Sequence, residues 1–463
     1  MTSPTVRLIS ECLVKPLHDL SSNTKQPIYF TPFELLLLNA NYSQKGLLFD
    51  KPSKNQRFSI AEFLDKLQHT LSATLTHFYP LAARLGTRKQ QNPPPNSYVI
   101  YIDPENSPGA KFIYAKADAN ISDVISSVCV PLLVHSLFDL NNNINHDGHT
   151  FLLLSIQVTE LNDGIFIGGS VNHMVADGTS FWNFMATWSE IFRSQDQILP
   201  MLEEASGSIN ISRPPVFKRV AFEGCDHVIN LPYTHPDEFI ERFRFPHLLE
   251  ERFFDFSATS ISKLKAKENV ECKTQKISSL QAVSALLWRC VTRARHLPKK
   301  ADSVCKLAIK NRHRLDPPLS DNYFGNHVQI VRGTTTVEDL ITRGLGRAAL
   351  ILHEAVRKHD DIAVKKWAQS WSKTQTIIKM SKVFDPNAIT IGSSPRFDMY
   401  GCEFGLGKAV ATRSGCSNKA DGQITMYPGR NGGGSMGIEV CLLSEYMRKI
   451  ECDEEFISAL ASN

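Results

Sequence analysis

Asn172-His173-Met174-Val175-Ala176-Asp177-Gly178 is the stretch from which the rest of the chain can be placed. Ahead of it runs Gly164-Ile165-Phe166-Ile167-Gly168-Gly169-Ser170-Val171. Ile165, Ile167, Val171 and His173 share one parity there, so a strand would put them on one face. Behind it, Phe181-Trp182-Asn183-Phe184-Met185-Ala186-Thr187-Trp188-Ser189-Glu190-Ile191-Phe192 carries apolar residues at spacings of three and four, which predicts an amphipathic helix. His173 therefore sits where a strand ends, and Asp177-Gly178 lie in the turn into a helix. Rigid backbone on both sides would hold the imidazole, which can accept a proton near neutral pH as a general base must. The plainer alternative is a hydrogen-bonded core histidine with Asp177 as the helix N-cap. The same His-x-x-x-Asp spacing recurs at His135-Ser136-Leu137-Phe138-Asp139, but in an apolar run with no following Gly and no strand-turn-helix context. His135 is accordingly read as structural.

The 463 residues exceed what one core usually serves, so two domains are expected. The division read from the pattern is 1–204, a crossover 205–249 where Ser, Pro, Gly and charges mix with isolated aromatics, and 250–463. Net charge is 51 − 47 = +4 with no long Lys/Arg run, which argues against a nucleic-acid surface but suits an anionic ligand such as a coenzyme. The ten cysteines are scattered and none forms Cys-x-x-Cys, so free thiols in a reducing compartment are expected. No apolar leader, no run of about 18 apolar residues and no retention address is seen, which predicts a cytoplasmic protein without a membrane anchor.

Along the chain, Val6–Val14 alternates as a strand. Thr31-Pro32-Phe33-Glu34 has the cap, the proline and the acid of a helix start. Residues 58–78 read as a helix ended by Tyr79-Pro80, 90–96 as a polar Pro-rich turn, and 97–103 as a strand. Residues 151–160 and 164–173 form a hairpin through Leu161-Asn162-Asp163. Helices are expected at 257–266, 278–295 and 340–357, and a strand at 301–311. Gly432-Gly433-Gly434 lacks the Lys-Ser/Thr of a phosphate loop and is read as a tight hairpin.

Several separate stretches agree with one family. His173-Met174-Val175-Ala176-Asp177-Gly178 resembles the His-x-x-x-Asp-Gly motif of the BAHD acyltransferases. Glu403-Phe404-Gly405-Leu406-Gly407-Lys408 resembles their Asp-Phe-Gly-Trp-Gly-Lys, and lies 403 − 177 = 226 residues downstream, near the family spacing. Phe78-Tyr79-Pro80-Leu81-Ala82-Ala83-Arg84, Arg312-His313-Arg314-Leu315-Asp316-Pro317-Pro318-Leu319 and Tyr323-Phe324-Gly325-Asn326 resemble three further family pieces in the right order. The resemblance implies two α/β domains of mixed sheet and helix, each like chloramphenicol acetyltransferase, with a tunnel between them and His173 midway. It implies acyl-CoA as co-substrate, no permanently bound cofactor, no metal, and a small-molecule acceptor, in a monomer of plant specialised metabolism. His173 would be the base. Asp177, the second motif residue, would act structurally through an arginine, Arg312 first and Arg314 second. Gly178, Glu403, Gly405 and Gly407 would shape the fold, and Ser278, Ser279 and Ser284 would border coenzyme A.

The chain departs from the family at Glu403, whose ion pair would have to shift, at Leu406, and at Ser393-Ser394 where many members have Ser-Trp. Backbone N–H groups or a hydroxyl of Ser393 or Ser394 would then meet the oxyanion. The branch carrying Phe404-Gly405 without the second motif's Trp also resembles one that includes a lyase acting on a salicylate precursor, which would need no coenzyme A, and a binding protein with a dead site is a third reading. Lys263, Lys265 and Lys276 are weighed as phosphate contacts against a solvated face. Cys402 lacks an adjacent base for a catalytic thiol, and His146, Asp147 and His149 lie in an Asn-rich loop that makes a metal site unfavourable.

Overall fold

Strand Leu154–Glu160 turns through Leu161-Asn162-Asp163 into the antiparallel strand Gly164–Val171, with Leu154 opposite Val171 and Glu160 opposite Ile165. All eight residues of the second strand are buried, so it is covered on both faces rather than on the one that the parity of Ile165, Ile167 and Val171 suggests. Gly169 permits this: a Cβ there would stand 2.9 Å from the Phe181 ring, so the following helix lies directly on the strand. The computed structural model describes residues 5–18, 26–52, 58–90, 97–125, 128–194, 210–245 and 248–461. The turn read over 90–96 lies outside them beyond Gln90, as do the chain termini and parts of the crossover at 205–209 and 246–247.

Around that hairpin stands a six-stranded sheet in the order Val6–Val14, Ala110–Ala117, Leu154–Glu160, Gly164–Val171, Ser43–Asp50 and Ala411–Ser414. Only Ala110–Ala117 against Leu154–Glu160 is parallel. A second six-stranded sheet runs Val328–Thr336, Asp302–Lys310, Ala388–Gly392, Gln423–Pro428, Met436–Leu443 and Leu249–Phe256, with Ala388–Gly392 parallel to both neighbours. A small sheet joins Ile28–Tyr29, Ser97–Asp103 and Arg84–Gln90. Helices flank the large sheets. Ile60–His77 and Gly178–Arg193 pack side by side, and Trp188 Nε1 donates to the Leu67 carbonyl at 3.3 Å and to Thr70 Oγ1 at 3.1 Å. Each large sheet has its own hydrophobic core. This is a two-domain α/β fold of mixed sheets covered by helices.

One late strand crosses from the second half into the first sheet. Ala411–Ser414, late in the chain, completes the first sheet by pairing with Ser43–Asp50, Ala411 opposite Leu48 and Ser414 opposite Lys45. Met399, Cys402, Phe404 and Ala409 go with it into the first core. A boundary drawn from local pattern has no means of anticipating such a strand. The crossover also ties the halves together: the buried Arg219 reaches Glu34 at 2.9 Å and the Phe324 carbonyl at 2.7 Å. The helix expected over 340–357 is two helices, Val337–Thr342 and Leu345–Arg357. The break falls at Arg343-Gly344, where the Glu271 carboxylate accepts the Gly346 N–H at 2.7 Å and takes the space a Cβ on Gly344 would need. The helix after Ser257 runs to Glu271, five residues past the expected end.

Candidate active site

The strand ends at Val171, and Asn172 to Asp177 make a tight turn before the helix starts at Gly178. Side-chain amides clamp that turn. Asn145 Oδ1 accepts the His173 N–H at 2.7 Å, Asn172 Nδ2 donates to the Asn145 carbonyl at 2.7 Å, and Asn326 Nδ2 donates to the His173 carbonyl at 2.8 Å. The backbone on either side of the His173 ring is thus held by side-chain amides. The ring Nδ1 stands 3.1 Å from the Ala176 carbonyl. Asn326 Nδ2, which already serves the His173 carbonyl, also lies 3.2 Å from Nδ1; with the hydrogen on Nδ1 for the Ala176 carbonyl, which only accepts, Nε2 keeps its lone pair. The ring is surrounded by protein yet partly exposed, because it borders a cavity of about 2160 Å³.

Burial pulls the His173 pKa below its ordinary value, against the Ala176 carbonyl and the Asp177 charge, which raise it; the Lys45 charge adds to the lowering. The neutral imidazole is the form that acts as a base. A base with a lowered pKa stays neutral further into acid, so the acidic limb of kcat/KM is expected below pH 6.5. A rate profile from pH 4.5 to 9 checks this; an acidic limb centred above 6.5 would contradict it.

Asp177 faces away from the His173 ring. It caps the helix by accepting the Ser180 N–H at 2.9 Å, and Oδ2 takes the His327 N–H at 3.2 Å. Arg312 meets it with two bonds, Nη1 to Oδ2 at 2.6 Å and Nη2 to Oδ1 at 2.9 Å, and both side chains are fully buried. Burial pushes the Asp177 carboxyl up, but Arg312 and the N–H donors hold it below the ordinary carboxylate value. Arg312 also reaches the Tyr323 carbonyl at 3.1 Å and Ser180 Oγ at 3.1 Å. Arg314, the second candidate, turns instead to the Val356 and His359 carbonyls. The pair therefore locks the start of the helix to the 312–327 loop, and the turn bearing His173 is fixed from below. Gly178 lines the cavity beside Phe397, whose ring would stand 3.1 Å from a Cβ there.

Both halves wall the cavity: His173, Trp182 and Lys45 on one side, Ser278, Gln329 and Thr390 on the other. Its volume is more than twice the roughly 1,000 Å³ upper end for a single small-ligand pocket, so it has room for two substrates. Ser278 and Ser279 lie on it at the start of helix Ser279–Ala294, and Lys265 joins them. Ser278 is already engaged as the cap, exchanging bonds with Gln281. Ser284 does not reach the cavity. It is fully buried within that helix, one turn further in, because the helix points its later residues into the second core. Ser393 and Ser394 line the cavity, and Ser394 Oγ accepts the Arg396 N–H at 3.2 Å.

The 403–408 loop lies elsewhere. Ser189 Oγ accepts the N–H groups of Glu403 at 3.1 Å and Phe404 at 3.4 Å, which places the loop at the far end of helix Gly178–Arg193. Eleven residues of helix separate Ser189 from Gly178, roughly 16 Å. Phe404 is fully buried against Phe49, Trp188 and Phe192. Positive φ at Phe404, Gly405 and Gly407 sets the loop's shape. The ion pair expected of Glu403 is absent among the described residues; the backbone bonds to Ser189 and the buried ring hold the loop without it. Glu403→Gln is therefore expected to change stability by no more than about 0.5 kcal/mol, while Phe404→Ala costs about 3–5 kcal/mol. Urea unfolding of the two variants separates these outcomes.

Other candidates resolve as structure. His135 Nε2 meets Glu251 at 3.0 Å, and Asp139 accepts from Ser155 instead. Cys402 is buried and its thiol is pushed up to about 12, so it supplies no thiolate at neutral pH. Asp147 is spent on Arg242 and on capping, and His149 on Thr87 and the His146 carbonyl. Among the described residues the cluster with metal-ligating geometry is Cys290, Asp453 and Glu455, but Arg289 and Arg293 already pair its carboxylates. Asn145 and Lys45 were not singled out from sequence. Asn145 lies 28 residues from His173 in an Asn-rich loop, with nothing local to mark it; Lys45 is a lone cation before the apolar run Gly46-Leu47-Leu48-Phe49.

With a clamped imidazole at a strand-to-helix turn, between two sheet domains and open to a cavity they share, the class is that of acyl-transferring enzymes. The family model described as the Transferase family matches residues 6–457. An uncharacterized acetyltransferase of Arabidopsis thaliana is 34% identical over 98% of this chain and 98% of its own. The BAHD acyltransferase DCR of Arabidopsis thaliana is 28% identical over 98% of this chain and 92% of its own. The crystal structure of F. graminearum TRI101 with coenzyme A and T-2 mycotoxin superposes with a TM-score of 0.70 at 14% identity, covering 94% of this chain and 98% of that one. The chain belongs to the BAHD acyltransferase family, and it is an acyltransferase. Among the described residues no helix is long and apolar enough to cross a membrane.

Proposed function

We propose that the chain transfers an acyl group from acyl-CoA to a hydroxyl or amine of a small metabolite, with His173 as general base, as a cytoplasmic monomer. The observation that carries this reading is the 3.1 Å contact of Nδ1 with the Ala176 carbonyl, which, with the hydrogen on Nδ1, leaves Nε2 as the acceptor on the shared cavity. The acceptor's O–H or N–H would give its proton to Nε2 as its heavy atom attacks the thioester carbonyl. The tetrahedral intermediate would collapse with cleavage of the C–S bond, and the thiolate would take the proton back from Nε2. A carbonyl oxygen gaining charge needs donors, and Ser393 and Ser394 are the hydroxyls on the cavity wall assigned to it. Asp177 and Arg312 stand behind the turn and take no part in proton transfer.

Support comes from the size of the cavity, sufficient for a coenzyme and an acceptor together, and from the coenzyme A and mycotoxin named with TRI101. Ser278, Ser279 and Lys265, at one helix start on the wall, are the residues assigned to the coenzyme. The test mixes the purified chain with several acyl-CoA donors and an acceptor panel and follows thiol release. Acceptor-dependent release is expected. Turnover of a substrate without any coenzyme A would instead favour the lyase reading.

A further inference from the structure

Lys45 has a charge that nothing in the first reading uses. It sits on strand Ser43–Asp50 and borders the same cavity as His173. Its Nζ donates to Ser414 Oγ at 2.6 Å and lies 3.4 Å from Tyr427 OH and 5.0 Å over the Tyr427 ring. The Tyr427 hydroxyl spends its own hydrogen on Glu439 Oε2 at 3.1 Å. Hydroxyls therefore take two of the three ammonium hydrogens, and among the described residues no carboxylate lies within ion-pair distance of Nζ. The neighbouring Lys419 differs: Glu251 at 3.0 Å and Glu439 both hold it. Both glutamates are taken up by Lys419, and Lys45 meets a carboxylate only through the Tyr427 hydroxyl. Holding an ammonium away from bulk water without a counter-ion is costly. Burial lowers the Lys45 pKa, Lys419 lowers it further, and Tyr427 opposes them. Its charge is also felt at His173. The same cavity also has apolar wall, including Leu36, Leu37 and Trp182.

We propose that Lys45 determines specificity by receiving a carboxylate of the small-molecule substrate, so that an acid with an apolar or aromatic body is oriented against His173. This deepens the acyltransferase reading and rests on the same cavity being the substrate site. The rival source of an anion is a phosphate of the coenzyme, and the test separates the two.

The probes are 3-phenylpropionate and its neutral amide, 3-phenylpropanamide, titrated calorimetrically into the wild-type chain, Lys45→Met, Lys45→Gln and Lys45→Arg, with and without saturating coenzyme A. The acid is expected to bind wild type at least tenfold more tightly than the amide. The preference should vanish in Lys45→Met and Lys45→Gln, return in part in Lys45→Arg, and persist when coenzyme A is present. Equal binding of acid and amide, no binding of the acid, or a preference that survives both neutral variants would overturn the proposal. So would displacement of the acid by coenzyme A, which would give the charge to a phosphate. Thermal melts establish that a neutral variant is folded, and the second neutral variant stands in if the first is not. Because the readout is binding, a failure of acyl transfer would leave this result standing, and the reverse also holds.

Discussion

Replacing His173 with alanine is expected to lower kcat/KM for acyl transfer by about 10²–10⁴-fold while leaving the melting temperature close to that of wild type. Activity falls because Nε2 is the free acceptor on the cavity. Stability holds because the turn is clamped through the backbone. The His173 N–H goes to Asn145 and its carbonyl to Asn326, and alanine keeps both groups. Thiol release and thermal melts on the same preparation give both numbers. A lost melting transition would make His173 a core residue, and unchanged activity would favour a binding protein.

Asp177→Ala is expected to act on the fold first. It strands the Arg312 guanidinium, fully buried, without its carboxylate, and removes the acceptor for the Ser180 and His327 N–H groups. Breaking a buried pair from one side costs about 3–5 kcal/mol, a large share of the roughly 5–15 kcal/mol that holds a typical protein together. The acidic limb of the pH-rate profile of whatever folded protein remains should move to lower pH, since the Asp177 charge that raises the His173 pKa is then gone. Arg312→Met combined with Asp177→Ala should cost less than the two single changes summed, because neither charge is then left alone. Urea unfolding at low temperature measures this. A loss of only about 1 kcal/mol for Asp177→Ala, the worth of an ordinary helix cap, would reduce the residue to that role.

Much of this was legible because its signals are local. The period of two up to Val171, the three-and-four spacing after Gly178 and the cap residue between them place His173 at its junction with no tertiary information. The hairpin through Leu161-Asn162-Asp163 and the helix ended by Tyr79-Pro80 are local in the same sense. What could not be read depends on residues far apart in sequence meeting in space. The Ala411–Ser414 strand leaves its own half to pair with Ser43–Asp50, and four residues carry no pattern that names a partner. Asn145 clamps His173 across 28 residues. The unpaired charge of Lys45 emerges only once Lys419, Glu251 and Glu439 are seen to satisfy one another. Ser284 misled for the converse reason: its place in the chain beside Ser278 and Ser279 says nothing of which way a helix turns it. Glu403 read as one half of an ion pair, yet its loop is held by Ser189 and by the burial of Phe404.

The central claim is that one neutral imidazole nitrogen faces the reacting thioester. A crystal structure of the chain with coenzyme A bound tests it most directly. The thiol sulfur should lie within hydrogen-bonding reach of His173 Nε2, with Nδ1 still on the Ala176 carbonyl and the coenzyme entering past Ser278. A sulfur seated elsewhere in the cavity, with Nε2 bonded to protein, would contradict it.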